Sequence, residues 1–193
     1  MGKKVSWIKV VDDENAGGAL RSVHDRVRGA GGQLDNLHRA MGLRPHILDG
    51  ADRLYRAILH DKGNSLTPWL GELIATYVGI LNRCAYTTAH HGRNFATLFD
   101  AADKAAAILA ALHDEADPPF LDPCARAALE YCEKLTRTPD RMVEQDVDRL
   151  RRAGIPDGEI LEINQIVANF AYWTRTANGL GIGLAGERLG YDV

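Results

Sequence analysis

The sequence lacks the features that mark membrane, secreted or nucleic-acid-binding proteins. Its three cysteines stand at unrelated spacings, so they provide no disulfide framework. No apolar run is long enough to cross a membrane, and the lysines at the start are not followed by a signal-peptide core. The formal net charge is only −3, which gives no reason to expect nucleic acid or a membrane as a partner. These absences predict a cytoplasmic protein in a reducing compartment.

Apolar residues recur at helical spacing along nearly the whole chain of 193 residues, and glycine and proline fall mainly between these stretches. The expected helices cover residues 16–27, 34–41, 45–60, 68–80, 84 onward, 101–113, 122–135, 140–153 and 156–178. The strand-like alternation at 5–11 is isolated and could only form an arm or an exchange segment. We therefore predict an all-α bundle in one domain over residues 1–193, in which residues 1–15 could form an N-terminal arm.

Two of these helices should form a hairpin around a break at residues 81–83. Thr67 and Pro68 are typical of a helix start, as the N-cap and the first helical residue. Asn82 competes with helix through its own side-chain hydrogen bonds, so it favours a break before a second helix that opens at Cys84. There the free backbone N–H groups and the positive end of the helix dipole would stabilise a thiolate, and Arg83 would act in the same direction.

Four polar side chains should share one face of the second helix. Cys84, Thr87, Thr88 and His91 lie at i, i+3, i+4 and i+7. A thiol and an imidazole on one face can exchange a proton, and imidazole titrates near neutral pH. Cys84 is therefore a candidate nucleophile and His91 its base, whereas a buried structural cysteine and a core histidine are the alternatives.

Glu72 lies in an otherwise apolar part of the first helix of the hairpin. It could orient His91 by a hydrogen bond and complete a Glu–His–thiol relay, or it could be a solvated acid near the helix start. Tyr86, Thr87, Thr88 and His90 are candidates for lining the site, and Tyr86 would donate a hydrogen bond or pack there. His90 points to another face, so we expect it at a subunit contact or at a helix cap.

The segment that contains Glu72, Cys84, His90 and His91 resembles the core of the alkylhydroperoxidase AhpD and carboxymuconolactone decarboxylase superfamily. That core is commonly a Glu, a short helix and then Cys-x-x-Cys-x-x-His-His. Further similarity to the peroxidase-related branch is found at Leu43-Arg44-Pro45, from Asn169-Phe170 through Arg175, and at Gly179-Leu180-Gly181. The resemblance implies an AhpD-like helical bundle with the site on its central hairpin, a peroxidase activity and a homo-oligomer (dimer, trimer or hexamer).

This chain departs from the family pattern at Thr87, which stands where the redox members have their second cysteine. In the family that cysteine lies near the matching histidine and is usually assigned the attack on peroxide, and the first cysteine resolves it. Without it the vicinal disulfide cannot form. We therefore expect Cys84 to attack a peroxide and to become a sulfenic acid, which an external thiol, Cys124 or Cys132 would reduce.

Two alternatives to a peroxidase stay open. The first is a non-redox enzyme similar to carboxymuconolactone decarboxylase, in which His91 and Glu72 transfer protons on a lactone-like substrate and Cys84 is incidental. The second is a catalytically inactive oligomeric binding protein. We expect no cofactor, and no metal either, because adjacent histidines on a helix diverge and no pair of histidines at i and i+4 is present here.

Overall fold

The structure is a computed structural model that describes residues 4–28, 32–99 and 101–190. Within these ranges the chain is all-helical, as the sequence predicts, and contains no strand. Residues 1–3 of the expected N-terminal arm lie outside the described ranges. The helices are α1 (Gly18–Val27), α2 (Asn36–Met41), α3 (Pro45–Leu59), α4 (Pro68–Leu81), α5 (Ala85–Leu98), α6 (Ala102–His113), α7 (Pro123–Arg137), α8 (Glu144–Arg152) and α9 (Asp157–Leu180).

The helix ends lie within one or two residues of the sequence prediction, except before α8. The expectation that this helix begins at residue 140 is wrong. Pro139–Arg141 forms a short 3-10 turn, and α8 begins only at Glu144. The reason is a local cap, because Asp146 Oδ2 accepts a hydrogen bond from Val143 N at 2.9 Å and fixes the helix start at that point.

The hairpin of α4 and α5 lies at the centre of the bundle, and α4 also packs against α7 and α9. Every residue of α4 from Leu70 to Gly79 is buried, which agrees with its almost continuous apolar sequence. One hydrophobic cluster joins α4 to α6, α7, α8 and α9. A second cluster joins α1, α2 and α3 to the start of α5 and the end of α9. Glu72 is therefore a carboxyl group inside the protein and not a solvated acid.

The turn between α4 and α5 brings the two helices into very close contact. Arg83 adopts a left-handed backbone with φ of 50°, and Cys84 N donates to Gly79 O at 2.8 Å. A Cβ atom at Gly79 would lie 2.8 Å from Thr88 Oγ1 and 3.0 Å from Thr88 N, so a larger residue would force the helices apart. This close crossing places Glu72 of α4 beside α5.

The described part of the N-terminal arm runs beside the end of α9. Trp7 N donates to Leu180 O at 2.8 Å, and Gly183 N donates to Val5 O at 3.1 Å. The strand-like alternation of the arm thus yields isolated backbone pairings and no strand among the described residues. No helix in the described ranges has the length and apolar character that crossing a membrane requires.

Candidate active site on the central helical hairpin

A buried carboxylate–imidazole pair joins α4 to α5. Glu72 Oε2 lies 2.7 Å from His91 Nδ1, and Asn94 Nδ2 donates to Glu72 Oε1 at 3.1 Å. The exposed fractions are 2% for Glu72, 4% for His91 and 1% for Asn94. Both carboxylate oxygens therefore have partners, and the bond to Nδ1 fixes the imidazole ring with its Nε2 edge facing away from Glu72. Sequence reasoning missed Asn94, although its i+3 spacing from His91 indicates the same face of α5.

The imidazole of His91 lies in the wall of a cavity of about 390 Å³. Phe170 of α9 packs edge-on against the imidazole at 4.6 Å between ring centroids, and Tyr55 of α3 lies at 6.3 Å. Trp173 also packs edge-on against Tyr55. Tyr55, Phe170 and Trp173 thus form an aromatic chamber beside the imidazole in this cavity, a surface that suits a flat or apolar organic molecule.

Tyr55 places a second polar group in this cavity. Its hydroxyl lies 2.9 Å from His60 Nε2. Burial, followed by the negative charge of Glu72, holds the pKa of Tyr55 well above its usual value, so the phenol stays protonated at neutral pH. Burial also lowers the pKa of His60, which favours a neutral imidazole that can accept a hydrogen bond from the phenol. No sequence pattern indicates this pair, because the last turn of a helix is an ordinary place for a histidine.

The thiol of Cys84 lies next to the His91 cavity and not in its wall. Cys84 is the N-cap of α5, and its extended φ of −98° and ψ of 93° take it off the helical register. The expectation that four residues share one face is therefore wrong in part. Thr87 and His91 line the cavity, whereas Cys84 and Thr88 line a groove between α5 and α7.

Thr87 connects the thiol with the cavity. Cys84 is only 1% exposed, and its Sγ donates to Thr87 Oγ1 at 3.4 Å. Thr87 itself is 3% exposed and is part of the cavity wall. The hydroxyl that replaces the second cysteine of the family pattern thus stands beside the remaining thiol.

Cys124 and Cys132 belong to α7, and all three cysteines of the described residues are free thiols. Cys132 is fully buried, and burial raises the pKa of its thiol well above the usual value. Cys124 Sγ donates to Ala153 O at 2.8 Å. Both cysteines pack in the hydrophobic cluster that joins α4 to α6, α7, α8 and α9, whereas Cys84 belongs to the second cluster. This conformation therefore does not bring them to the sulfur of Cys84.

His90 forms a second carboxylate–imidazole pair, which sequence reasoning missed. Its ring is completely buried, and Nε2 lies 2.9 Å from Glu187 Oε1 in the segment after α9. Glu187 Oε2 also accepts from Asn36 N at 2.7 Å, at the start of α2. Burial and the charge of Glu187 raise the pKa of Tyr86 well above its usual value, and Tyr86 stacks on His90 at 4.7 Å. His90 and Tyr86 thus fasten the C-terminal segment inside the protomer instead of making the expected cap or subunit contact.

Three arginines lie around the remainder of the cavity wall. Arg56 of α3 uses Nε to bind Asp52 Oδ2 at 2.9 Å and donates from Nη2 to the backbone of Val27 at 3.3 Å. Arg28 follows α1, and Arg188 belongs to the segment after α9. Among the described residues no group of three or more His, Cys, Asp or Glu side chains is placed to hold a metal ion.

Comparisons with known proteins identify the fold. No family model and no curated protein matches the chain. Among solved structures, an alkylhydroperoxidase AhpD core protein, described as an uncharacterized peroxidase-related protein from Ralstonia eutropha JMP134, is 21% identical with a TM-score of 0.79 over 95% of this chain and 94% of that chain. An uncharacterized peroxidase-related protein from Silicibacter sp. TM1040 is 21% identical with a TM-score of 0.76 over 96% and 97% of the two chains.

A third similar structure is the debrominase Bmp8, as a cysteine-to-alanine variant in complex with 2,3,4-tribromopyrrole. It is 18% identical with a TM-score of 0.74 and covers 96% of this chain and 94% of that chain. All three likenesses extend over nearly the full length of both chains. The chain therefore has the all-helical fold of the alkylhydroperoxidase AhpD core and peroxidase-related proteins.

Proposed function

We propose that this chain is a thiol-dependent peroxidase that reduces a small organic hydroperoxide at Cys84. The observation that supports it best is the buried Glu72–His91 pair, 2.7 Å apart, on a cavity whose wall includes Thr87, the hydrogen-bond partner of the thiol. A base held by a carboxylate next to a thiol at a helix N-terminus is the arrangement that activates cysteine nucleophiles.

The reaction has two parts. The Cys84 thiol gives its proton through the Thr87 hydroxyl to the His91 imidazole, and the thiolate attacks the terminal peroxide oxygen. The O–O bond breaks, the sulfur becomes a sulfenic acid, and His91 returns the proton to the leaving alkoxide as an alcohol. Two equivalents of an external thiol then reduce the sulfenic acid to the thiol, with release of water and formation of a disulfide between the two external thiols.

The low exposure of Cys84 has a consequence for substrate choice. The thiol is 1% exposed, so a hydroperoxide reaches it only when the side chains around the sulfur move apart. Bulky hydroperoxides should therefore react more slowly than small ones. The proposal also includes a cytoplasmic location, a homo-oligomeric assembly and an external thiol reductant, all of which rest on the sequence.

A non-redox enzyme is a second candidate, and one observation favours it. His91 and Thr87 line the aromatic cavity, whereas Cys84 lines the groove between α5 and α7. In this case the Glu72–His91 pair would move a proton on an organic substrate in the cavity, and Cys84 would only pack. The bound tribromopyrrole of the similar debrominase shows that this fold can hold a flat organic ring.

Mass spectrometry with a sulfenic-acid trap separates the two candidates. The protein is exposed briefly to cumene hydroperoxide or tert-butyl hydroperoxide with dimedone, and adducts are counted at each cysteine. We expect an adduct at Cys84 but not at Cys132, and a rate about 100-fold lower in the His91→Gln variant, the usual scale for loss of a general base. His46→Gln, which changes an exposed histidine in the first turn of α3, is the matched control and should react like wild type.

If no cysteine forms an adduct, the proposal of a peroxidase activity is refuted. If the adduct at Cys84 forms equally fast in the His91→Gln variant, the peroxidase activity is supported but the proton relay through His91 is refuted. In the first case the second candidate would be tested by deuterium incorporation from heavy water into γ-lactone probes, again with His91→Gln for comparison.

A further inference from the structure

Tyr55 and His60 form a second polar pair in the wall of the cavity that His91 lines. Tyr55 lies near the end of α3, and His60 is the residue at which that helix ends. The phenol oxygen lies 2.9 Å from His60 Nε2, so the imidazole folds back over the last turn to reach it. The displacement at Cys84 described above uses neither of these side chains.

The phenol ring of Tyr55 is held in one orientation by its aromatic neighbours. It packs edge-on against His91, Phe170 and Trp173, each at 6.3 Å between ring centroids. It also packs edge-on against His60 at 5.0 Å. Contacts from α5 and α9 therefore fix a ring that belongs to α3. A hydrogen-bond donor that is fixed before the reaction loses no free energy in turning toward a charge that develops during it.

The phenol is a proton donor at neutral pH. Burial, followed by the negative charge of Glu72, holds the pKa of Tyr55 well above its usual value. Burial lowers the pKa of His60, and a neutral imidazole donates or accepts at Nε2 according to its tautomer. His60 is exposed to solvent, which lets the two tautomers exchange. When Nε2 carries the hydrogen, it donates to the phenol oxygen and leaves the phenol hydrogen for a ligand in the cavity.

The leaving oxygen of a hydroperoxide lies opposite the sulfur, because a thiolate displaces the alkoxide in line with the O–O bond. The attack starts from Cys84, beside Thr87 in the cavity wall. The leaving oxygen therefore points away from these two residues and into the cavity, where α3 contributes another part of the wall. An alkoxide is a strong base and gains little from aromatic surroundings, so a hydrogen-bond donor at this place stabilises the transition state.

We propose that Tyr55 is a catalytic residue of this site, whose hydroxyl donates a hydrogen bond to the leaving oxygen while the O–O bond breaks, and that His60 positions this hydroxyl. The inference rests on the proposed function, because it concerns the same displacement at Cys84. The sulfur is oxidised to a sulfenic acid, the hydroperoxide is reduced to an alcohol, and the alkoxide takes its proton from His91. Tyr55 keeps its own proton throughout.

The test compares two oxidants that differ in their leaving group. tert-Butyl hydroperoxide releases an alkoxide with its charge on one oxygen, whereas peracetic acid releases acetate, a weak base that spreads its charge over two oxygens. The loss of the free thiol of Cys84 in a single turnover is measured by alkylation and mass spectrometry. In Tyr55→Phe we expect the rate to fall by about 100-fold with tert-butyl hydroperoxide and to stay within about threefold of wild type with peracetic acid.

Tyr172→Phe is the matched control, because it removes the same hydroxyl from a tyrosine of α9 that is 41% exposed and also packs edge-on against Trp173. We expect this variant to react like wild type with each oxidant. If Tyr55→Phe slows the two oxidants equally, the hydroxyl only supports the structure of the site and the inference is overturned. If Tyr55→Phe slows neither oxidant, the inference is overturned as well.

His60 provides a second test, which concerns the positioning of the phenol. His60→Leu removes the nitrogen that lies 2.9 Å from the phenol oxygen. We expect the ratio of the rate with tert-butyl hydroperoxide to the rate with peracetic acid to fall by about tenfold, the equivalent of one hydrogen bond. His60→Gln offers an amide N–H in the same place and should recover most of the ratio. An unchanged ratio in His60→Leu would refute the positioning role.

The proposed function and this inference fail in different ways. If neither oxidant removes the thiol of Cys84 in wild type, the peroxidase activity is refuted together with the role of Tyr55. If each oxidant removes this thiol in wild type and Tyr55→Phe shows no selective loss with tert-butyl hydroperoxide, the peroxidase activity is supported and only the role of Tyr55 is refuted.

Discussion

The substitution Glu72→Gln tests the proton relay most directly. It keeps the size of the side chain and removes the negative charge that faces His91 Nδ1 at 2.7 Å. The reaction requires His91 to carry a proton for part of the cycle, and Glu72 stabilises that imidazolium. Because both groups are at least 96% buried, solvent does not screen the lost charge.

The size of the effect follows from electrostatics. Two unit charges about 4 Å apart attract each other by about 4 kcal/mol at an effective dielectric constant of about 20. The neutral hydrogen bond that an amide retains returns about 1 kcal/mol of this. The remaining loss of about 3 kcal/mol corresponds to a rate of Cys84 oxidation lower by about 100-fold.

The assay is the rate of dimedone labelling at Cys84 under single-turnover conditions with a hydroperoxide. Glu187→Gln is the control, because it makes the same change beside the neighbouring imidazole, His90. We expect the control to react within about threefold of wild type, as for a residue outside the relay. Equal rates for Glu72→Gln and wild type would refute the view that His91 acts through this carboxylate.

Three further predictions concern other parts of the protein. Thr87→Cys places a second thiol beside Cys84, at a site where the present Sγ to Oγ1 distance is 3.4 Å; hydroperoxide should then remove two free thiols per chain, and dithiothreitol should restore them. Phe170→Ala should lower the free energy of unfolding by about 3–5 kcal/mol in urea, because Phe170 is 1% exposed; a loss under about 1 kcal/mol would contradict its packing. Hydrogen bonding from Lys134 holds the pKa of Asp146 low, so this carboxylate stabilises the fold above the unfolded value of about 4 and stops doing so as the pH falls through its folded pKa. The stability difference between wild type and Asp146→Asn should therefore shrink in acid, and a constant difference would contradict this.

Local patterns were enough to predict the helices and the hairpin. Thr67 and Pro68 start α4, and the break at Asn82 and Arg83 separates it from α5, as the sequence indicates. These signals act within a few residues, so no knowledge of the tertiary structure is required. The Glu72–His91 contact could also be inferred, because a tight turn between two helices brings residues on facing sides together.

The parts that could not be predicted depend on distant segments or on a single backbone angle. Cys84 left the expected face of α5 because its backbone is extended at the cap position. Glu187 is 97 residues from its partner His90, and nothing in the glycine-rich segment around it indicates a buried acid. Arg56 and Arg188 come to one cavity only after the bundle has formed, so no spacing along the chain relates them.

Gly79 acts as a spacer that sets the strength of the relay from a distance. It lies two helical turns from Glu72, and a Cβ there would meet Thr88 Oγ1 at 2.8 Å. Any added side chain would push α5 outward and lengthen the bond between Glu72 and His91, which now measures 2.7 Å. The glycine therefore acts as a geometric constraint on the site, because a larger residue here would displace Thr87 and His91 in the cavity wall together.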